Sequence, residues 1–201
     1  MGHSGILGFS TNWPRHMGKD LAGRRNGFRE KIMRGFDDDD LFRFYRSEHG
    51  FNWKYPFKAR QTNSDGKTIS LNRNTYDDCY EKLSTIRSGK RWSVGDRIRF
   101  YSGVRTANQF KFAPDRKVKL IQWLKIEIIL DSEMRYTNIY IDNEYAGCFV
   151  TSIENWMTTT ASDRLKLLYS HDGFDSSMQF VRWFNEDIEH AQIIHWADMK
   201  Y

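Results

Sequence analysis

The longest regular pattern in the sequence is a β-rich run of aliphatic residues over 117–130. Two shorter strand-like runs follow at 135–141 and 145–150, and they flank Asp142-Asn143-Glu144, which has the composition of a hairpin turn. The middle of the chain is therefore predicted to be a β-sheet rather than a helical bundle.

Other segments add strands and short helices around this sheet. Gly35 is expected to close a helix, and Ser162-Asp163 and Asp175 are expected to cap two more. The remaining predicted elements are strands at 6–13 and 97–103, helices at 27–34, 163–170 and 176–187, and a closing strand at 193–201. This order predicts an α+β fold, a small β-barrel with short helices packed on it.

Residues 36–80 have no clean period, and Asn63–Gly66 forms a turn signal within them. We interpret 36–80 as an insertion within a single domain spanning 1–201. The four aspartates at 37–40 are predicted to be a solvated helix start rather than a cation site, because consecutive side chains cannot converge on one ion.

Composition excludes several classes of protein. Aromatic residues make up 15% of the chain, so Trp and Phe are expected to carry much of the core. No apolar run approaches the ~18 residues that span a bilayer, and we see no signal peptide. Two cysteines, Cys79 and Cys148, are too few for a disulfide framework. We therefore expect a cytoplasmic protein with no membrane partner.

The positive charge is concentrated in one stretch. Residues 81–125 hold twelve Lys or Arg and three acidic residues, and the rest of the chain is net acidic. Such a block is typical of a polyanion site, the alternative being a solvated face. Arg87, Lys90 and Arg91 would hold phosphates, as would Arg105. Trp92 or Tyr101 could stack on a base, although core packing is the alternative for Trp92.

Several separate segments together resemble one known family, the ASCH family of PUA-like domains. In that family a short helix ends in Gly, a Lys-x-x-Thr-Ile-Arg strand follows, and a Gly-Asp turn leads to the next strand. Similar segments here are Phe28–Gly35, Lys82-Leu83-Ser84-Thr85-Ile86-Arg87, Trp92–Asp96, Phe100–Thr106, Asp172–Asp175 and Ile193–Trp196. The chain departs from the family by placing about 46 residues between the first two segments.

The resemblance implies a β-barrel with a cleft and a role linked to RNA. One branch of the family hydrolyses N4-acetylcytidine with a Lys, a Thr and an acid. By position these would be Lys82, Thr85 and Asp172, although those enzymes have Glu where this chain has the shorter Asp.

The chemistry sets conditions on these residues. Lys82 and Thr85 would point to opposite faces of one strand unless Lys82 precedes the strand or a bulge intervenes. Lys82 must also lose its proton to act as a base, which desolvation and Arg87 would favour. Backbone N–H groups near Gly89 could stabilise an oxyanion. His171, beside Asp172, is expected to be a surface or capping group.

No metal site or cofactor is predicted, because His190 and His195 have no metal-ligand spacing.

Three functions remain open. The first is a module that binds RNA or a modified nucleoside, and the second is an amidohydrolase acting on N4-acetylcytidine-type nucleosides. The third is a protein-interaction domain using aromatic residues of the insertion, which could instead act as a lid over the cleft. Those aromatic residues are Tyr45, Phe51, Trp53, Tyr55 and Phe57.

Overall fold

Long antiparallel strands form the larger of two main sheets in this computed structural model, which describes residues 3–50, 60–62, 68–70, 81–159 and 162–201. The described helices are α1 (Phe28–Arg34), α2 (Asp38–His49), α3 (Asp163–His171) and α4 (Ser177–Trp183). The described strands are β1 (Ser4–Phe9), β2 (Arg60–Thr62), β3 (Thr68–Ser70), β4 (Ser84–Ser88), β5 (Arg97–Ser102), β6 (Phe110–Lys111), β7 (Arg116–Lys117), β8 (Leu120–Leu130), β9 (Met134–Ile141), β10 (Glu144–Ser152), β11 (Thr158–Thr159) and β12 (Ile188–His195). The fold class is α+β, as predicted.

The larger sheet has the strand order β11-β10-β9-β8-β12-β4. The predicted hairpin between β9 and β10 is confirmed, and Asp142 and Asn143 take the positive φ angles that a tight turn requires. Strand β12 lies between β8 and β4, with Ile194 opposite Ile121 on one side and Thr85 on the other. The closing strand therefore spans Ile188–His195 rather than 193–201, because pairing on both sides ends at His195.

The smaller sheet pairs strands that are far apart in the sequence. Strand β1 pairs in parallel with β5, which also pairs with β6 and β7. The two sheets meet where Val118 donates its N–H to Asp96 and Lys119 donates to His195. No closed barrel is found among the described residues, so the predicted small barrel is not confirmed.

The helix caps explain where the helices begin and end. Helix α1 ends at Gly35 and α3 begins at Ser162, whose Oγ accepts the N–H of Leu165 at 3.3 Å, both as predicted. Helix α4 is shorter than predicted, and its cap is Ser176 rather than Asp175. The buried Arg135 donates to the carbonyl of Phe184 at 2.9 Å, beyond the last turn, which holds the chain where it leaves the helix.

Only the start of helix α2 was predicted, because residues 36–80 have no clean period. It begins after Asp37, and the acidic residues of its first turn face the positive end of the helix dipole, which confirms the predicted helix start. Its Tyr45 is fully buried and donates a 2.5 Å hydrogen bond to the carbonyl of Phe112. Tyr45 is therefore part of the core and not of an exposed aromatic patch. The other four aromatic residues of that hypothesis lie outside the described residues.

Trp92 is a central core residue that also anchors the loop between β4 and β5. It is 5% exposed, and its ring lies so close to Gly5 that a Cβ there would come within 2.6 Å of the indole. The buried Gln192 of β12 accepts the Trp92 N–H at 3.0 Å and donates to its carbonyl at 2.8 Å. Side chain and backbone thus fix this loop to both sheets.

Within the described residues, no helix is long and apolar enough to cross a membrane. Cys148 is a free, half-buried thiol, and Cys79 lies outside the described residues.

We expect Trp92→Ala to lower the free energy of unfolding by about 3–5 kcal/mol, because a large buried ring leaves a cavity. Trp123→Ala is the matched control, since Trp123 is 37% exposed, and should cost much less. Chemical denaturation of both variants measures the difference. Equal losses would contradict the core role of Trp92.

Candidate functional site

The segment that carries the family resemblance begins just before β4. Lys82 donates its N–H to the carbonyl of Lys31, and Leu83 donates to His171, so both residues precede the strand that starts at Ser84. Because Lys82 lies outside the strand, the alternation of side chains does not force it away from Thr85. The position of Lys82 before the strand therefore allows the side chains of Lys82 and Thr85 to converge, as the chemistry requires.

The Lys82 ammonium forms a buried ion pair with Asp172, the residue that ends α3. The Nζ to Oδ1 distance is 2.6 Å, and Nζ also donates to the backbone carbonyl of Asp172. The two residues are only 2% and 3% exposed. Asp172 Oδ1 additionally accepts the N–H of Ile86 at 3.3 Å, which ties the pair to β4.

Close packing surrounds this ion pair. The rings of Phe28 and Phe9 lie 4.9 and 5.8 Å from Lys82 Nζ. Gly173 has a φ of 93°, and a Cβ there would lie 3.0 Å from Lys82 Cδ. A side chain at this position would strain the backbone and also press on the lysine stem.

Burial shifts the pKa values of both members of the pair towards neutrality. Loss of solvent lowers the pKa of Lys82 to about 8, with Arg87 and Lys31 adding repulsion and Asp172 opposing the shift. Loss of solvent likewise raises the pKa of Asp172, against the attraction of Lys82. Burial therefore weakens the preference of both side chains for their charged forms, as is common for groups that take part in proton transfer.

A second buried lysine supports the same turn. Lys31, on α1, donates to the carbonyl of Gly173 at 2.7 Å and to Asp175 Oδ1 at 2.5 Å. No role was predicted for this residue from the sequence. Helical spacing could have indicated that Lys31 is buried, since it lies three residues after Phe28 on the apolar face of α1.

The three predicted catalytic residues line one small cleft. Lys82, Thr85 and Asp172 share it with Arg87, and Ser10 and Trp183 also belong to its wall. The cleft encloses about 20 Å³, which is room for about one water molecule. Arg87 donates from Nη2 to the carbonyl of Gly8 at 2.7 Å, which fixes its guanidinium beside the Phe9 ring.

The other predicted nucleic-acid contacts lie elsewhere. Trp92 is buried in the core, so it packs there rather than stacking on a base. Lys90 and Arg91 are exposed in the loop after β4, Tyr101 lies in β5, and Arg105 is in the turn beyond it. Arg87 is therefore the one member of that set that lines the described cleft.

Trp183 is the aromatic side chain that sequence reasoning missed. It is half-buried in the wall of the cleft, with its ring centroid 5.5 Å from that of Phe28 and 5.8 Å from that of Phe174. The sequence did not indicate that Trp183 lies at the cleft, because helix α4 was predicted to continue beyond this residue.

The N–H of Gly89 donates to the carbonyl of His190, so it is not free to stabilise an oxyanion. His171 is half-buried and its ring stacks on Tyr201, away from the residues that line the cleft. Within the described ranges, no group of three His, Cys, Asp or Glu side chains could hold a metal ion.

Carboxylates neutralise part of the basic stretch 81–125. Lys111 contacts Glu48 and Asp115 at 2.9 and 3.1 Å. Lys119 and Lys125 contact Asp198 and Glu189 at 3.5 and 3.4 Å. Carboxylates elsewhere in the chain therefore compensate part of the net positive charge of this stretch.

We expect the Lys82 ammonium to titrate with a midpoint near pH 8, measured by NMR of its side-chain nitrogen. Asp172→Asn should lower this midpoint, because desolvation persists while the attraction of the carboxylate is lost. Lys166, which is exposed and paired with Asp163, is an internal control whose titration should not change. A Lys82 midpoint at the ordinary value of 10.5 would contradict the described burial.

Comparison with known proteins adds no relative from which a role could be transferred. No family model matches the chain, and no curated protein or solved structure matches it. The ASCH resemblance remains a prediction, and a function has to be inferred from the contacts and charges of the cleft itself.

Proposed function

We propose that the chain recognises a modified nucleoside at the cleft and hydrolyses an amide on its exocyclic nitrogen, as in N4-acetylcytidine. The observation that supports this proposal is the buried Lys82–Asp172 pair in the same cleft as Thr85. A lysine whose pKa lies near 8 is partly neutral at working pH and can act as a base, which a solvated lysine cannot.

In the first step, Thr85 Oγ1 attacks the acyl carbon and its proton passes to neutral Lys82. The bond between the carbonyl carbon and the nucleoside nitrogen then breaks, and the Lys82 ammonium returns the proton to that nitrogen. The products of this step are the free amino group and an acyl ester on Thr85.

In the second step, water attacks the ester carbon and gives a proton to Lys82. The carboxylic acid leaves, and the threonine oxygen recovers the proton from Lys82. One water is consumed in all, and Asp172 holds Lys82 in place throughout.

The short acid at position 172 is compatible with this role. Asp has one methylene less than Glu, but Asp172 Oδ1 already lies 2.6 Å from Lys82 Nζ. The fixed end of α3 and the close approach at Gly173 bring the carboxylate to the lysine.

The size of the cleft suits an acyl group rather than a whole base. Room for about one water at its floor would admit the carbonyl, while the base would rest at the mouth against Trp183. Stacking on an aromatic face is a common and sequence-tolerant way to hold a base.

We further propose that the chain is related to the ASCH family of PUA-like domains and that it acts in the cytoplasm. Two features favour the relation: α1 ends at Gly35 as in the family pattern, and Lys82 immediately precedes the strand that contains Thr85 and Arg87. Binding of RNA or a modified nucleoside without hydrolysis is the second candidate. It is favoured by Arg87, which brings a positive charge into the cleft beside the ion pair.

We expect the pure protein to release cytidine from N4-acetylcytidine. Lys82→Ala should reduce the rate by about 10²–10⁴-fold, the usual contribution of a positioned base. Thr85→Val, which keeps the shape of the side chain, should abolish release, and Lys166→Ala is the control for an exposed lysine. The rate should fall about tenfold per pH unit below pH 8, because Lys82 is then protonated.

Release that persists in Thr85→Val would contradict the nucleophile assignment. If the wild type binds N4-acetylcytidine without releasing cytidine, hydrolysis is excluded for this substrate and the binding module is the better description. Circular dichroism of each variant separates loss of the reaction from loss of folding.

A further inference from the structure

The loop between β1 and α1, residues 10–26, is a built element packed along the wall of the cleft. Asn12 and Arg25 form an antiparallel bridge. The N–H of Trp13 donates to the carbonyl of Arg24, and the carbonyl of Trp13 accepts the N–H of Gly23. The buried Asn26 closes the base of the loop by donating to the carbonyl of Ser10 at 3.0 Å.

Side chains of this loop contact the residues that form the cleft. The Trp13 ring centroid lies 5.4 Å from that of Phe28, 6.0 Å from that of Phe174 and 5.8 Å from that of Trp183. The exposed His16 ring lies 6.3 Å from that of Trp183, and Ser10 itself lines the cleft.

Helix α4 fixes the outer part of the loop. Arg182 donates to Asp20 at 2.8 and 2.9 Å and to the carbonyl of Met17 at 3.1 Å. Since Arg182 precedes Trp183, one helical turn holds both the loop and the aromatic wall of the cleft.

The exposed side chains of the loop carry an excess of positive charge. Its cationic side chains are Arg15, Lys19, Arg24 and Arg25, against the one carboxylate of Asp20. Asp20 is bound by Arg182, and Arg25 contacts Glu30 at 3.4 Å. This leaves Arg15, Lys19 and Arg24 exposed without an ion pair among the described residues, although Arg24 also acts on Asp20 through space.

We propose that this loop binds the phosphates of a single-stranded nucleic acid while one of its bases rests at the mouth of the cleft. The inference rests on the proposed function, because it assigns the modified nucleoside to a strand rather than to the free pool. Exposed cations on a loop beside a small cleft with an aromatic wall combine the two requirements of strand recognition, backbone charge and a face on which a base can stack. Duplex binding does not fit, since a paired base cannot reach the cleft.

The test is the affinity of the full chain for a short, fluorescein-labelled, cytidine-rich oligoribonucleotide, followed by anisotropy over a series of salt concentrations. The variant Arg15→Ala/Lys19→Ala/Arg24→Ala should bind more weakly. It should also reduce the slope of log affinity against log salt by about 2, as expected for three lost contacts to a single strand. The matched control Lys119→Ala/Lys125→Ala/Lys166→Ala removes three lysines elsewhere and should leave the slope unchanged.

An unchanged slope in the loop variant would overturn the inference, as would an equal reduction in the control or tighter binding of a duplex. An oligodeoxyribonucleotide bound as well as the ribo-oligonucleotide supports a contact to the backbone alone. Cytidine release from free N4-acetylcytidine should be the same in the loop variant as in the wild type. If the wild type releases none while the loop variant still loses strand affinity, the hydrolysis proposal fails and the loop assignment stands.

Discussion

The buried contact between Lys82 and Asp172 is the interaction on which the arrangement of the cleft depends. Two charged side chains taken out of water are costly, and they are tolerated only when they meet at short range with their other hydrogen-bonding groups satisfied. This requirement brings the start of β4 against the end of α3 and fixes the turn at Gly173 between them. Lys31 then supports the same turn from α1, so three elements converge on one ion pair.

Much of the fold follows from local patterns, and the failures have identifiable physical causes. The β9–β10 hairpin and the starts or ends of α1, α2 and α3 could be predicted because turn and cap residues act over a few positions. The pairing of β12 and the early end of α4 could not, since they depend on β8, β4 and Arg135, which are distant in sequence. Tyr45 and Trp92 are buried by contacts with distant segments. The sequence alone therefore could not show whether they lie in the core or on the surface.

Only part of the candidate site could be predicted from the sequence. The family pattern indicated Lys82, Thr85 and Asp172, and these residues do line one cleft. Charge density along the sequence was less informative, because it does not record which lysines and arginines meet a carboxylate in space. Trp183 and the loop at 10–26 come beside the cleft through the packing of Trp13, a contact between segments about 170 residues apart that no local pattern encodes.

The parallel pairing of β1 with β5 affects how the chain must be assembled during synthesis. The N–H of His3 finds its acceptor, Asp96 Oδ1, 93 residues later. At a synthesis rate of about 5–20 residues per second, β1 emerges and then waits roughly 5–20 s before its partner strand exists. Its apolar residues, Leu7 and Phe9 among them, are buried in the folded protein, and they cannot pack beside β5 during that interval. Strand β1 is thus made well before the strand it pairs with, and the nascent chain has to remain free of aggregation until then.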